Sequence, residues 1–194
     1  MEPALRKFLV SLLFLVALPV LAADKSWPAD EVIGKADAPM TIIEYGSLTC
    51  SHCAEIAEKV MPQLKKDWLD TGKAKLIYRD FPRDPLDQAA AMISHCAGNE
   101  RYFAFVDTFF HSQNNWMRSA QPLDALKGIA RLGGMSSDQV NVCLADASLL
   151  NQLEARKNEG QKLYNINATP TFVINGKPHD DMPPDYDLFV KRLK

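Results

Sequence analysis

Charge of one sign is scarce in this chain. Lys and Arg number 22 against 24 Asp and Glu, a formal balance of −2 over 194 residues. That excludes a broadly basic nucleic-acid binder, and no basic run marks a local patch. Cysteine is sparse as well: four residues are too few to frame a disulfide-built miniprotein. No repeat, low-complexity segment or collagen-like period is present, and after residue 21 no long apolar run follows. Disordered, fibrous and multi-span membrane classes are thereby excluded. The remainder is ordinary: 47% hydrophobic and 24% charged residues. The length suits about one domain with an insertion, large enough to bury a core unaided.

The first residues read as a targeting segment. Arg6 and Lys7 form a basic start, and Phe8 to Leu21 is apolar except for Ser11 and Pro19. Small Ala22 and Ala23 precede Asp24. We read residues 1–22 as a secretory signal peptide cleaved after Ala22 or Ala23. An uncleaved anchor is the alternative, but the apolar stretch is shorter than the roughly 20 residues a span needs. The mature chain is then expected to be soluble on the oxidising side of a membrane, without stable membrane insertion.

Residues 24–39 read as a leader. Thr41 to Ser47 predicts a buried strand that carries Glu44 among apolar neighbours. Cys50 to Leu69 predicts a helix, with Ala57, Val60, Met61, Leu64 and Trp68 at helical spacing and a kink at Pro62. Lys73 to Asp80 predicts a second strand, parallel to the first because a helix connects them. A helical block follows over about 83–164. Its aromatic stripe, Tyr102 to Phe110, reads as core packing rather than a ligand box. Ser136 and Gln139 have capping-box spacing. Thr171 to Ile174 predicts a strand, Asn175-Gly176 a hairpin turn, and Asp185 to Leu193 a final helix. The order β-α-β, helical block, β-β-α suits one α/β domain, residues 24–194, interrupted by a helical insertion.

Chemistry concentrates in Cys50-Ser51-His52-Cys53, where a strand hands over to a helix. Two intervening residues let both sulfurs meet across the first helical turn. Unpaired N–H groups there favour an anion, and imidazolium at His52 would add to the effect. The thiolate is the form that attacks disulfides. The spacing predicts Cys50 as the exposed nucleophile and Cys53 as the more buried resolving thiol. A c-type haem site would need His directly after the second cysteine, where Ala54 stands. A zinc site would need a second ligand pair, and the best available, His95 and Cys96, are adjacent. A purely structural Cys50–Cys53 disulfide stays open. Glu44, buried, would have a raised pKa and could exchange a proton with Cys53; the alternative is an acid satisfied by polar neighbours.

The strand acid, the CSHC helix start, the large helical insertion and the late Ala-Thr-Pro-Thr-Phe resemble the DsbA-like thiol:disulfide interchange proteins of bacteria, in the thioredoxin superfamily. The resemblance spans about Val32 to Leu193. It implies a thioredoxin-like fold and a cis-proline loop at Thr169-Pro170 that faces the redox cysteines and binds substrate chain in an extended form. It also implies donation of disulfides to reduced secreted proteins and reoxidation by a DsbB-type membrane quinone reductase. No cofactor, metal or nucleic-acid partner is expected. A disulfide isomerase or reductase of the same fold, and a redox-inactive binding module, are the alternatives. In an oxidising compartment the remaining Cys96 and Cys143, 47 residues apart, are expected to form a structural disulfide; two buried free thiols are the alternative.

Overall fold

The computed structural model describes residues 30–193. The signal segment and its cleavage site lie outside the described residues. Among the described residues no helix is long and apolar enough to cross a membrane.

Five strands form one sheet in the order β1-β3-β2-β4-β5. They are β1 (Glu31–Gly34), β2 (Met40–Gly46), β3 (Ala74–Asp80), β4 (Thr171–Ile174) and β5 (Lys177–His179). β2 and β3 run parallel; the other pairs are antiparallel. Central β2 alternates its side chains between two cores, as strand geometry requires. Ile42 faces a cluster with Ile56, Val60, Phe172 and Phe189, while Tyr45 faces Phe81, Ile166 and Val173. Helices therefore cover both faces. α1 (Ser51–Lys59) and α9 (Tyr186–Lys191) lie on the first, and the end of α8 (Ala147–Tyr164) on the second. α8 approaches closely: a Cβ at Gly160 would stand 2.5 Å from the Tyr45 ring.

Between β3 and β4 lie α3 (Pro85–Cys96), α4 (Asn99–His111), α5 (Gln113–Met117), α6 (Pro122–Leu132), α7 (Ser137–Leu144) and α8. The aromatic stripe is core: Tyr102, Phe105, Phe109 and Phe110 are buried. Ser136 and Gln139 form a reciprocal capping box. A disulfide joins Cys96, at the end of α3, to Cys143 in α7, with Cα atoms 6.0 Å apart.

The structure corrects two local expectations. The leader contains β1, hidden because its polarity is inverted: Glu31 is buried and Val32 is 41% exposed. Burial there raises the Glu31 pKa, while the nearby His95 and Arg156 charges oppose the rise. The helix after Cys50 is broken, not merely kinked. α1 ends at Lys59, α2 (Met61–Leu64) restarts around Pro62, and a π-helical turn covers Lys65–Leu69. Proline has no N–H to give the preceding turn, so the break falls just before it. α5 is a short helix whose apolar content is too small for a periodic signal.

A charged seam ties the sheet to the insertion. Arg79 donates to Asp30 at 2.8 Å and to the Tyr45 hydroxyl at 2.8 Å. Asp80, at the end of β3, accepts from His95 Nε2 at 2.8 Å and from the Tyr102 hydroxyl at 2.9 Å.

Removing the disulfide with the double substitution Cys96→Ala/Cys143→Ala should lower the unfolding free energy, by less than the chain-entropy maximum of about 4 kcal/mol. Denaturant unfolding under oxidising conditions measures the loss. An unchanged midpoint would show that the bond constrains nothing.

Candidate active site

Cys50 occupies the N-cap of α1, with extended backbone, and Cys53 lies one turn on. Both are free thiols. The expectation of an exposed Cys50 is corrected: it is 6% exposed and Cys53 is fully buried. Its cover comes from distant sequence. The Thr169-Pro170 bond is cis, and the Cys50 thiol donates to the Thr169 carbonyl at 3.2 Å. The Thr169 hydroxyl is buried without a full hydrogen bond. It nevertheless lies near enough to favour a charged sulfur.

The electrostatics separate the two thiols. Cys50 is lowered from 9.0 to about 5, first through a hydrogen bond with the Cys53 thiol and against the opposing effect of burial. The Thr169 side chain and the N–H groups of Cys53 and His52 lower it further. His52 thus acts through its backbone. Its half-exposed ring turns away, with Nε2 donating to the Met182 carbonyl at 3.1 Å and Nδ1 3.7 Å from Glu55. Cys53 is pushed well above 9.0, chiefly by burial, then by the Cys50 sulfur and the Glu44 charge.

Glu44 is 3% exposed and accepts no side-chain hydrogen bond among the described residues. Burial first, and the Cys50 charge second, push its carboxyl from 4.5 up to about 8. It borders a largely apolar cavity of about 380 Å³, shared with Ala57, Leu76, Tyr78 and Phe110 and with Lys65 and Asp107. The expectation of a raised carboxyl beside Cys53 therefore has a physical basis here, whereas polar neighbours do not satisfy it.

The loop that delivers Cys50 is held by groups the sequence reading missed. Asp87 accepts from Ser47 Oγ at 2.5 Å and from Leu48 N–H at 2.8 Å; burial raises its pKa to about 6. Asp84 accepts from Thr49 Oγ1 at 2.9 Å while also capping α3. Gln113 Nε2 donates to the Leu48 and Cys50 carbonyls, at 2.8 and 3.0 Å. The Asp84-Pro85 pair was a legible helix start. Nothing local marks Asp87 or Gln113.

The depressed Cys50 value has a signed consequence. An acid whose folded pKa lies below its unfolded value stabilises the fold above the unfolded value. For Cys50 that contribution to the dithiol form is complete above 9.0 and is lost as pH falls through about 5. Iodoacetamide should therefore modify Cys50, and not Cys53, at mildly acidic pH, once chain motion admits the reagent. The thiolate absorbance should titrate with a midpoint near 5. A midpoint at the ordinary thiol value would contradict the assigned electrostatics.

Comparison with known proteins extends the picture. A thioredoxin family model matches residues 26–194. The crystal structure of Wolbachia pipientis alpha-DsbA1 is similar at 32% identity with a TM-score of 0.78, covering 86% of this chain and 89% of that one. A protein-disulfide isomerase from Novosphingobium aromaticivorans is similar at 25% identity and a TM-score of 0.74, covering 86% of this chain and 97% of that one. A curated Rickettsia bellii protein, carrying a protein-disulfide oxidoreductase name, is 31% identical over 148 residues. That match takes in 76% of this chain but spans only 57% of the relative's length. With the matched model, the shared fold and the similarity to alpha-DsbA1 over most of both chains, this chain belongs to the DsbA-like family of the thioredoxin superfamily.

Proposed function

We propose that the protein is a periplasmic thiol:disulfide oxidoreductase that donates the Cys50–Cys53 disulfide to secreted proteins. The observation that carries this reading is the separation of the two thiols: a sulfur lowered to about 5 at a helix start, beside a buried partner raised above 9.0. Holding Cys50 at about 5 stabilises the reduced form by about 2.7 kcal/mol at a pH of about 7, on the order of 60 mV toward oxidant. The disulfide then transfers readily to another dithiol.

In the forward step a substrate thiolate attacks the Cys50 sulfur. The Cys50–Cys53 bond breaks and Cys53 leaves as thiolate, which takes a proton from Glu44. The substrate's second thiolate attacks its own sulfur in the mixed disulfide and releases Cys50 as thiolate. Two electrons have moved to the enzyme, and the substrate holds the new bond. Thr169 and Pro170 contact the substrate chain, and Cys96–Cys143 is a structural bond. A DsbB-type membrane quinone reductase accepts the electrons and restores the disulfide. The relatives' names support the chemistry; the compartment rests on residues 1–22 read as a cleaved signal.

An isomerase or reductase of the same fold is the second reading, favoured by the similarity to the Novosphingobium protein-disulfide isomerase. The Cys50–Cys53 reduction potential against glutathione separates the two, since a disulfide donor must be strongly oxidising. A redox-inactive binding module is the third, and turnover requiring both cysteines excludes it.

Replacing Cys53 with Ser should trap mixed disulfides between Cys50 and reduced client proteins, visible on non-reducing gels. Cys50→Ser should abolish exchange, lowering the rate to background. Full exchange by Cys50→Ser would remove the proposed mechanism.

A further inference from the structure

One buried polar atom beside the cysteines has no role in the exchange described above. The Tyr78 hydroxyl is buried and has no hydrogen-bond partner among the described residues. An orphaned buried hydroxyl is destabilising, and phenylalanine would fill the same space without that cost. Its position is informative. Tyr78 and Glu44 are register partners on the parallel strands β3 and β2, so their side chains stand side by side on one face. The Tyr78 ring then runs along the sheet to Gly46, where a Cβ would meet its hydroxyl at 2.6 Å. The glycine leaves the room that the hydroxyl occupies.

Glu44 in turn lacks a stabilising partner for its charged form. The groups around it are Cys50 and Cys53 from the start of α1, Tyr78 from β3, and Lys65 and Asp107 on the cavity it borders. β4 presents Phe172 opposite it. Lys65 is engaged with Asp70 at 2.6 Å, and Asp107 would repel a carboxylate. Tyr78 feels the charges of Cys53 and Glu44, while burial keeps its phenol protonated far above the ordinary range. It is therefore a permanent donor. Both residues line the cavity, which leaves unfilled space beside the Glu44 side chain.

We propose that Tyr78 is a positioning residue for Glu44: its hydroxyl, idle while the carboxyl is protonated, donates a hydrogen bond to the carboxylate left when Glu44 gives its proton to the Cys53 thiolate. The inference rests on the thiol-disulfide reading of the two cysteines. The step balances. Cys53 as thiolate plus Glu44 as acid become Cys53 as thiol plus Glu44 as carboxylate, and Tyr78 keeps its proton. A hydrogen bond to the charged form strengthens an acid. Without it Glu44 is a weaker donor and Cys53 is protonated more slowly. The orphaned hydroxyl of the dithiol form is thus a donor held ready for the anion that forms when Glu44 gives up its proton.

Tyr78→Phe removes the hydroxyl alone, and its thermal midpoint should equal or exceed that of the unchanged protein. The test follows the Glu44 carboxyl by carbon NMR across pH in the dithiol form, together with exchange kinetics on a reduced protein client. We expect the Glu44 midpoint to rise by about one pH unit and proton-limited exchange to slow about tenfold. In a Glu44→Gln background, Tyr78→Phe should change the exchange rate no further. An unchanged Glu44 midpoint overturns the proposal, as does an equal slowing with and without Glu44. If the unchanged protein exchanges no disulfides, the functional reading fails, and the carboxyl titration still decides the role of Tyr78.

Discussion

An anionic sulfur must be held at the first turn of α1 with almost no water against it, and the surrounding structure is arranged around that constraint. Cys50 is 6% exposed, yet its pKa falls to about 5. Burial alone would push it the other way. The reversal needs donors already in place: the Cys53 thiol, the Thr169 side chain and the first N–H groups of the helix. A small displacement of the 47–50 loop would lose them. The insertion prevents this, since Asp84, Asp87 and Gln113 each bind the loop from α3 or α5. The helical block between β3 and β4 thus builds the cradle for the sulfur as well as a second core.

The same low-dielectric setting explains the other perturbed groups. Cys53 and Glu44 are each pushed toward the neutral form, chiefly by burial, and each is pushed further by negative charge nearby. Two neutral groups can share one buried space where two anions cannot. While Cys53 is bonded to Cys50 only Glu44 holds a proton; in the dithiol form burial favours a proton on each.

What could be read from the chain follows from how local each signal is. The CSHC motif, β2 with Glu44, the hairpin at Asn175-Gly176 and the Ser136 capping box depend on neighbours a few residues away. β1 does not. Its buried Glu31 is tolerable only because His95 and Arg156 lie near it in space. Asp87 and Gln113 escaped notice because an acid or amide inside a helix has no signature until its distant partner is known. The burial of Cys50 has no local signal because its cover, the Thr169 carbonyl, lies 119 residues away along the chain. The element order β-α-β, helical block, β-β-α was legible, since hydrophobic period and turn residues carry it, while the thioredoxin-like fold followed from the family resemblance.

Asp80 illustrates how much can converge on one carboxylate. It closes β3, accepts from His95 on α3 and from Tyr102 on α4, and His95 is the residue before the disulfide at Cys96. The sheet and two helices of the insertion therefore share a single junction. Redundancy is low there: an amide at position 80 would keep one acceptor oxygen and add donors where two donors already point. Natural variation should be correspondingly narrow at this position and coupled to positions 95 and 102, even though Asp80 takes no part in moving electrons.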